Sequence, residues 1–303
     1  MSSRRSFLKQ SGIFTGGILM APSLLTATGC SAVSASNYKV GLQLYTVRDA
    51  MDKDPRGTLA KVAKIGYKEM EGATYTGSEK FYGMDVATFA GVLKQNGLTM
   101  PSSHYALGSP TTKGTILSDW EHAVEDAAQL GLKYMVCAYL PEDRRKTLDD
   151  YKKVADELNK AGETCKKHGI QLCYHNHNFE FPKLDGQVPY EVLLKSADKD
   201  LVKMEMDIYW ITKAGYDPVA MFKEHPGRFE LWHVKDMDNT PKHFFTEVGS
   251  GVIDWNRIFA HRKESGMKHF FVEQDECPGD PLVSIAKSYG YLEKNIVTKY
   301  KPV

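Results

Sequence analysis

Four short stretches of this chain end in side chains that can bind a divalent cation or move a proton: Tyr174-His175-Asn176-His177, Met206-Asp207, Trp232-His233 and Val272-Glu273. Each closes an apolar, β-branched or aromatic run that reads as a strand. An ionisable group at the end of such a run is costly to bury unless it is paired, hydrogen-bonded or bound to metal. A lone histidine there is ordinarily a satisfied structural residue. Imidazoles, an aspartate and a glutamate ending successive strands are harder to explain that way. Gathered at one place, they would make a mixed nitrogen and oxygen site for one divalent ion. Imidazole in the set favours Mn, Co or Zn over Mg, which prefers oxygen-only shells.

The elements that must position these groups are legible as an alternation. Short apolar runs at 39–45, 67–71, 99–104, 134–138, 171–175, 202–207, 230–234 and 269–273 are separated by amphipathic stretches. Leu59-Val62-Ala63, Phe89-Val92-Leu93, Ala123-Ala127-Leu130 and Leu148-Tyr151-Val154-Ala155-Leu158 keep the helical spacing. Gly66, Gly97, Gly131, Gly169 and Gly266 stand where a helix must stop before the next strand, a position that favours glycine because it takes the left-handed conformation. Eight alternations without a hairpin signal predict parallel strands joined by right-handed crossovers. An open doubly wound sheet would carry a glycine-rich phosphate loop after its first strand, and Gly41-Leu42-Gln43-Leu44-Tyr45 is no such loop. The fold class is therefore α/β, a single (β/α)8 barrel of eight parallel strands, whose C-terminal strand ends converge on one face.

Residues 1–35 read as a leader: Ser3-Arg4-Arg5-Ser6-Phe7-Leu8-Lys9 has the form of a twin-arginine export signal, followed by an apolar core over 13–25. That core is shorter than the ~20 apolar residues of a permanent span. Thr26-Ala27-Thr28-Gly29-Cys30 permits two readings, acylation of Cys30 as a lipoprotein or cleavage near Ala35. The expectation is export to a periplasmic or membrane-anchored location, with any membrane contact made only through a lipid on Cys30. The remaining 36–303, about 268 residues, suits one barrel of ~250 residues. The leader holds Arg4, Arg5 and Lys9 and no acid, so a whole-chain balance of 39 Lys plus Arg against 38 Asp plus Glu becomes −2 without it. Such a balance offers no electrostatic footprint for nucleic acid or anionic lipid. Cys137, Cys165, Cys173 and Cys277 lack Cys-x-x-Cys spacing, and buried free thiols are expected for those in strands.

Taken together, several motifs give the chain a resemblance to the xylose-isomerase-like barrel superfamily, the group labelled sugar phosphate isomerases/epimerases. They are Gly41-Leu42-Gln43-Leu44-Tyr45, Tyr67-Lys68-Glu69-Met70-Glu71, Ser103-His104 and His175-Asn176-His177-Asn178-Phe179-Glu180-Phe181. Further along come Met206-Asp207-Ile208-Tyr209-Trp210, His233-Val234-Lys235-Asp236, Gly249-Ser250-Gly251-Val252-Ile253-Asp254 and Val272-Glu273-Gln274. The resemblance implies one divalent ion held by Glu, Asp, His and Glu from the fifth to eighth strands. Asp207, His233 and Glu273 match the last three. The first position departs, carrying His175, with His177 two residues on and Glu180 five on. The expected metal set is thus His175, Asp207, His233 and Glu273, with His177 facing substrate; the two imidazoles share strand parity, so the reverse assignment stays open.

In the family, two opposed glutamate ligands exchange a proton on either face of a carbon beside a carbonyl. Here Glu273 supplies one, and an imidazole replaces the other. Enolisation of a keto-sugar is therefore expected, leading to isomerisation, epimerisation or elimination; exported relatives with the His-Asn-His signature resemble 3-keto-glycoside lyases or hydratases. Glu273, His177 and Glu180 are the expected catalytic residues. Gln43, Tyr45, Glu71, His104, Trp210, Lys235 and Glu247 are the expected sugar contacts, although Glu71 could instead pair with Lys235 or Arg48. Arg144-Arg145-Lys146 reads as a solvated helix face. The partner is a carbohydrate, unphosphorylated because no phosphate cradle is visible; a homo-oligomer stays open. Two rival readings are an apurinic endonuclease, opposed by the charge and the leader, and a sugar-binding lipoprotein without turnover, which the missing first glutamate would suit.

Overall fold

The computed structural model describes residues 38–302, Glu79 apart; the readings of the leader and of Cys30 fall outside the described residues. Eight parallel strands close in the order β1-β10-β7-β6-β5-β4-β3-β2. They are β1 (Gly41–Gln43), β2 (Glu69–Gly72), β3 (Thr99–Tyr105), β4 (Tyr134–Cys137), β5 (Gln171–His175), β6 (Val202–Asp207), β7 (Leu231–Val234) and β10 (His269–Val272). The helices in the first half are α1 (Arg48–Lys53), α2 (Pro55–Ile65), α3 (Val86–Gln95), α4 (Trp120–Leu130) and α5 (Leu148–Lys167). Those in the second half are α6 (Pro189–Ser196), α7 (Ile208–Lys213), α8 (Pro218–Glu224), α9 (Trp255–Ala260), α10 (Arg262–Ser265) and α11 (Pro281–Leu292). No described helix is long and apolar enough to cross a membrane.

Local chemistry sets the boundaries. The helix α5 begins with a reciprocal cap, Thr147 accepting from the Asp150 N–H and Asp150 from the Thr147 N–H, a device worth about 1 kcal/mol. Its Tyr151, Val154, Ala155, Leu158 and Cys165 form the buried stripe. The five glycines expected after helices all take positive φ. Barrel closure needs Gly41: β1 pairs with both β10 and β2 there, and a Cβ would collide with the Phe271 ring.

One element was not anticipated. A two-stranded antiparallel ribbon, β8 (Asp236–Met237) and β9 (Phe245–Thr246), leaves the barrel after β7. Strands of two residues are too short to show an alternating pattern, so the reading of no hairpins missed it. Asp238 closes its turn by accepting from the Thr240 and Phe244 N–H groups.

Inside the barrel, Tyr134, Val136, Cys173, Leu231 and Phe271 make a separate apolar plug. Cys173, Leu231 and Phe271 share strand parity with His175, His233 and Glu273 two residues further along. The plug therefore lies about 7 Å below those groups, at ~3.3 Å of rise per residue, and floors the polar mouth. The four described cysteines are free thiols, Cys137, Cys165 and Cys173 being buried and Cys277 half-buried.

Candidate metal centre

The ends of β5, β6, β7 and β10 bring His175, Asp207, His233 and Glu273 together, each offering a ligand atom within 4.8 Å of the others. All four are buried. Asp207 divides its carboxylate: Oδ1 accepts from the Trp210 N–H at 2.8 Å and caps α7. Oδ2 has no hydrogen bond; it stands 3.4 Å from His175 Nε2 and 3.1 Å from Lys235 Nζ. Neither ring nitrogen of His175 has a hydrogen-bond partner. Asn176 fixes the relative height of the two strands, its Oδ1 accepting from the Asp207 N–H at 3.0 Å and its amide donating to the Asp207 carbonyl at 3.3 Å.

His233 is held at both nitrogens. Nδ1 lies 2.9 Å from Glu273 Oε2, and Nε2 lies 2.6 Å from Glu71 Oε2. Glu71 in turn accepts from Gln43 Nε2 at 2.9 Å and Ser102 Oγ at 2.5 Å. Beside it, His104 Nε2 is 2.6 Å from Glu205 Oε2, and the His104 and His233 rings stack 5.2 Å apart. A carboxylate on the far nitrogen of a ligating histidine fixes its tautomer and raises its basicity; Glu71 stands in that place, leaving Nδ1 toward Asp207 and Glu273.

Charge is divided accordingly. Burial opposes ionisation of Asp207, but Lys235 and the imidazoles outweigh it and hold the carboxyl down at about 2. The same contest, won by His104 and His233, brings Glu71 to about 2. Glu205 goes the other way, to about 7, because burial and the charge on Glu71 both disfavour its anion. Burial and Lys235 act oppositely on Glu273, and with His233 the ammonium prevails, keeping it well below the usual range. Burial would lower His233, yet Glu205, Glu273 and Glu71 raise it well above 6.5. His175 has no such support; burial and His233 drive it to about 4. The donor set thus fits a divalent cation on chemical grounds: a neutral imidazole at His175, ionised carboxylates at Asp207 and Glu273, and two buried groups, His175 and Asp207 Oδ2, with unused lone pairs; His233 would have to give up its proton to join them.

Residues 59–294 match the family described as xylose isomerase-like TIM barrel. The chain belongs to that family. Among curated relatives, an inosose dehydratase of Lacticaseibacillus casei is 25% identical over 166 residues, 48% of this chain and 55% of the relative. The chain therefore matches about half the length of that relative, whereas one from Geobacillus kaustophilus is 22% identical over 281 residues, 80% of this chain and 85% of the relative. A solved sugar phosphate isomerase/epimerase from Parabacteroides distasonis superposes with a TM-score of 0.75 at 29% identity, covering 90% of this chain and 99% of that one. The IOLI protein, solved with a bound zinc atom, shares the fold with a TM-score of 0.66 at 18% identity over 86% of this chain and 99% of that one.

In this xylose isomerase-like chain, the other expected site residues separate into distinct places. His177 stands one ring outward, its centroid 4.9 Å from His175 and 5.7 Å from Trp210, with Nδ1 unpartnered. Burial, His175 and Lys235 hold its pKa well below 6.5. Trp210 is half-buried, and Tyr45 is 42% exposed with the Arg48 guanidinium 4.3 Å over its ring. Lys235 is buried and bridges three carboxylates, Asp207 at 3.1 Å, Glu273 at 2.7 Å and Asp275 at 2.6 Å. Beside Asp275, a cavity of about 460 Å³ opens between the loops after β1 and β10.

Four expectations are corrected. Gln43 and Glu71 are wholly buried and spend their polar atoms on each other, on the Tyr45 N–H, on Ser102 and on His233. They lie against His233, where Glu71 also forms a second buried group with His104, Glu205 and His233, and Glu71 pairs with His233 instead of Lys235 or Arg48. Glu180 is also wholly buried: it accepts from Tyr174 Oη at 2.6 Å and from the His177 N–H at 2.9 Å. Tyr174 has the opposite strand parity to His175, so this carboxyl anchors the loop from outside the barrel, and burial pushes it up to about 8. Glu247 turns to α11, accepting from Ser284 and Lys287. Finally, of the expected solvated face only Lys146 is exposed; Arg144 is half-buried and pairs with Glu157 at 2.7 Å, and Arg145, half-buried beyond the helical turn, lies 3.5 Å over the Phe179 ring.

Sequence reasoning did not single out Glu205, Ser102 or Asp275. Glu205 had a usable signal, a charge two residues before Asp207 on the same strand face. Asp275 lies beyond its strand, where strand parity no longer indicates direction.

Proposed function

We propose that this protein is a divalent-metal-dependent enzyme that removes the proton next to the carbonyl of an unphosphorylated keto-sugar. The observation that carries this reading is the convergence of His175, Asp207, His233 and Glu273 with lone pairs to spare in a buried setting. A bound divalent ion supplies Lewis acidity that draws electrons from the carbonyl oxygen. Glu273 is the base, kept ionised by Lys235 and His233 despite burial. Lys235 keeps positive charge beside the reacting region, and the apolar plug below keeps water out of it. His177, outside the carboxylate group and neutral at rest, donates a ring N–H hydrogen bond to the departing oxygen, which takes the proton that Glu273 has removed. The export reading of the leader supports an unphosphorylated substrate, because phosphorylated sugars are scarce outside the cytoplasm.

Of the outcomes open after proton removal, elimination suits the arrangement best. The C–H electron pair becomes a C=C bond, the β C–O bond breaks, and the departing oxygen takes a proton, giving an enone and an alcohol or water. Epimerisation requires groups of matched proton affinity on both faces of the carbon. Here an imidazole near 4 stands where a second carboxylate would. The inosose dehydratase relatives agree with elimination. The Parabacteroides neighbour favours the second reading, isomerisation or epimerisation through the same first step.

Incubation of the Zn-, Mn- or Co-loaded protein with keto-sugars and 3-keto-glycosides in D2O, read by NMR, tests this. Solvent deuterium should enter beside the carbonyl and an aglycone should be released, with Glu273→Gln lowering exchange about 10²–10⁴-fold. Exchange with epimer formation and no aglycone selects the second reading. A full metal site that gives neither exchange into, nor aglycone release from, any keto-sugar refutes both.

A further inference from the structure

The large hydrophobics most exposed among the described residues are Tyr45, Tyr139, Phe244, Val252 and Val283. Tyr45 stands in the helical turn after β1, Tyr139 after β4 and Phe244 in the turn between β8 and β9, on the mouth that carries the cation group. Exposed aromatic rings at the mouth offer flat apolar area to a ligand entering it. Tyr45 is capped by Arg48, and Phe244 rests on Phe245 with centroids 5.1 Å apart.

Tyr139 is different: it is 45% exposed, yet it is fixed. Its hydroxyl accepts from Arg145 Nη2 at 3.2 Å, while Arg145 Nε donates to the Leu140 carbonyl at 3.0 Å. The same guanidinium lies 3.5 Å over Phe179, which stacks on His177 at 5.2 Å and 8°. Tyr139 meets that stack edge-on, 5.2 Å from His177 at 89° and 5.5 Å from Phe179 at 84°. The result is a rigid right-angled corner, one ring removed from His175. The bonds to Leu140 and Tyr139 use Arg145 Nε and Nη2 and leave Nη1 to the partly exposed side of the guanidinium. Arginine held this way presents donors in a fixed plane, and an immobilised aromatic costs little further ordering on binding.

We propose that Tyr139, Phe179 and Arg145 form an outer subsite for the second pyranose ring of a two-ring glycoside whose first ring lies over the cation group. This rests on the sugar reading above. The apolar face of a pyranose packs on the tyrosine ring, and its hydroxyls accept from Arg145 Nη1. The substrate class is thereby narrowed to glycosides carrying a sugar as the group beyond the reacting ring.

Calorimetric titration of the Zn-loaded protein with methyl β-D-glucopyranoside and methyl β-D-galactopyranoside, against cellobiose and lactose, tests the subsite. The two-ring sugars should bind about tenfold more tightly than the methyl glycosides, the range of one aromatic contact plus one hydrogen bond. Tyr139→Ala should bring them down to the methyl glycoside level, and Tyr139→Phe should retain most of the advantage. Thermal unfolding checks that both variants are folded. No second-ring advantage in the wild type, or one that survives Tyr139→Ala, overturns the subsite alone. Arg145-dependent binding of glucose 6-phosphate in place of the disaccharides also overturns it, making the corner an anion site. Binding of none of these sugars also overturns the subsite, while the keto-sugar reading stands or falls separately on the deuterium exchange and aglycone release described above.

Discussion

Replacing Glu71 by Gln should weaken metal binding while leaving the barrel standing. Glu71 touches none of the open lone pairs of the cation group; its effect passes through His233. Oε2 takes both the His233 and the Gln43 contacts, at 2.6 and 2.9 Å, and Oε1 takes Ser102. A glutamine with its carbonyl oxygen at the Oε2 position keeps the first two contacts, and its amide can donate to a rotated Ser102 hydroxyl. Only the negative charge is lost, and with it the support for His233 basicity. Loss of such a partner lowers metal affinity about 10–100-fold, or ~1.4–2.8 kcal/mol. Glu71→Ala is a different perturbation, stranding three buried donors at about 1–3 kcal/mol each, so it should be strongly destabilising even without metal. The assay is competitive Zn titration of wild type and Glu71→Gln, with urea unfolding of both metal-free proteins. Equal Zn affinities for two equally stable proteins would refute the idea that Glu71 acts on the cation through His233.

Three further outcomes follow from the same contacts. His233 carries a proton in the metal-free protein because surrounding carboxylates raise its pKa well above 6.5, so binding through Nδ1 must displace that proton. Affinity should rise with pH until the raised pKa is passed, and calorimetry in buffers of different ionisation enthalpy should show about one proton released per cation near pH 7; no release contradicts it. Glu180, raised to about 8, keeps its proton in the folded state. An unfolded glutamate loses it near ~4.3, so this group's stabilising contribution is complete at low pH and lost as pH rises to about 8. Glu180→Gln should therefore gain on wild type by roughly 2–5 kcal/mol between pH 5 and pH 9 in urea unfolding, and parallel pH profiles would exclude the shift. Asp236 accepts from the Met237, Gly249 and Ile253 N–H groups and from the Trp255 indole. Asp236→Ala should cost at least about 3 kcal/mol by calorimetric unfolding, and a loss under ~1 kcal/mol would show that water replaces those bonds.

The barrel was legible because its period is simple. Apolar runs of strand length, helical spacing and glycines after helices all gave one architecture, and the strand at 171–175 has the expected bounds. The cation group was legible for a related reason, since polar residues ending apolar strands have few innocent explanations. Roles one step removed were harder to see. Gln43 and Glu71 end their strands as His233 does, yet they face the axis below the mouth, where neighbouring side chains consume their hydrogen bonds. Glu180 sits in a loop, and only the reverse turn after β5 shows that it folds back onto Tyr174. Arg145 lies in a stretch of mixed charge, where nothing in the pattern says that its guanidinium meets Phe179, 34 positions away in the chain. The glycines of Gly249-Ser250-Gly251 explain themselves only in three dimensions: a Cβ on Gly249 would strike Tyr291, and one on Gly251 would strike Asp236.

The most direct measurement of the central claim is anomalous diffraction from crystals of the protein grown with Mn or Zn, recorded at the metal edge. One strong peak within bonding distance of His175, Asp207, His233 Nδ1 and Glu273 is the expected result. A peak only at the surface cluster of Glu191, Glu224 and His225, or none at all at saturating metal, would contradict it.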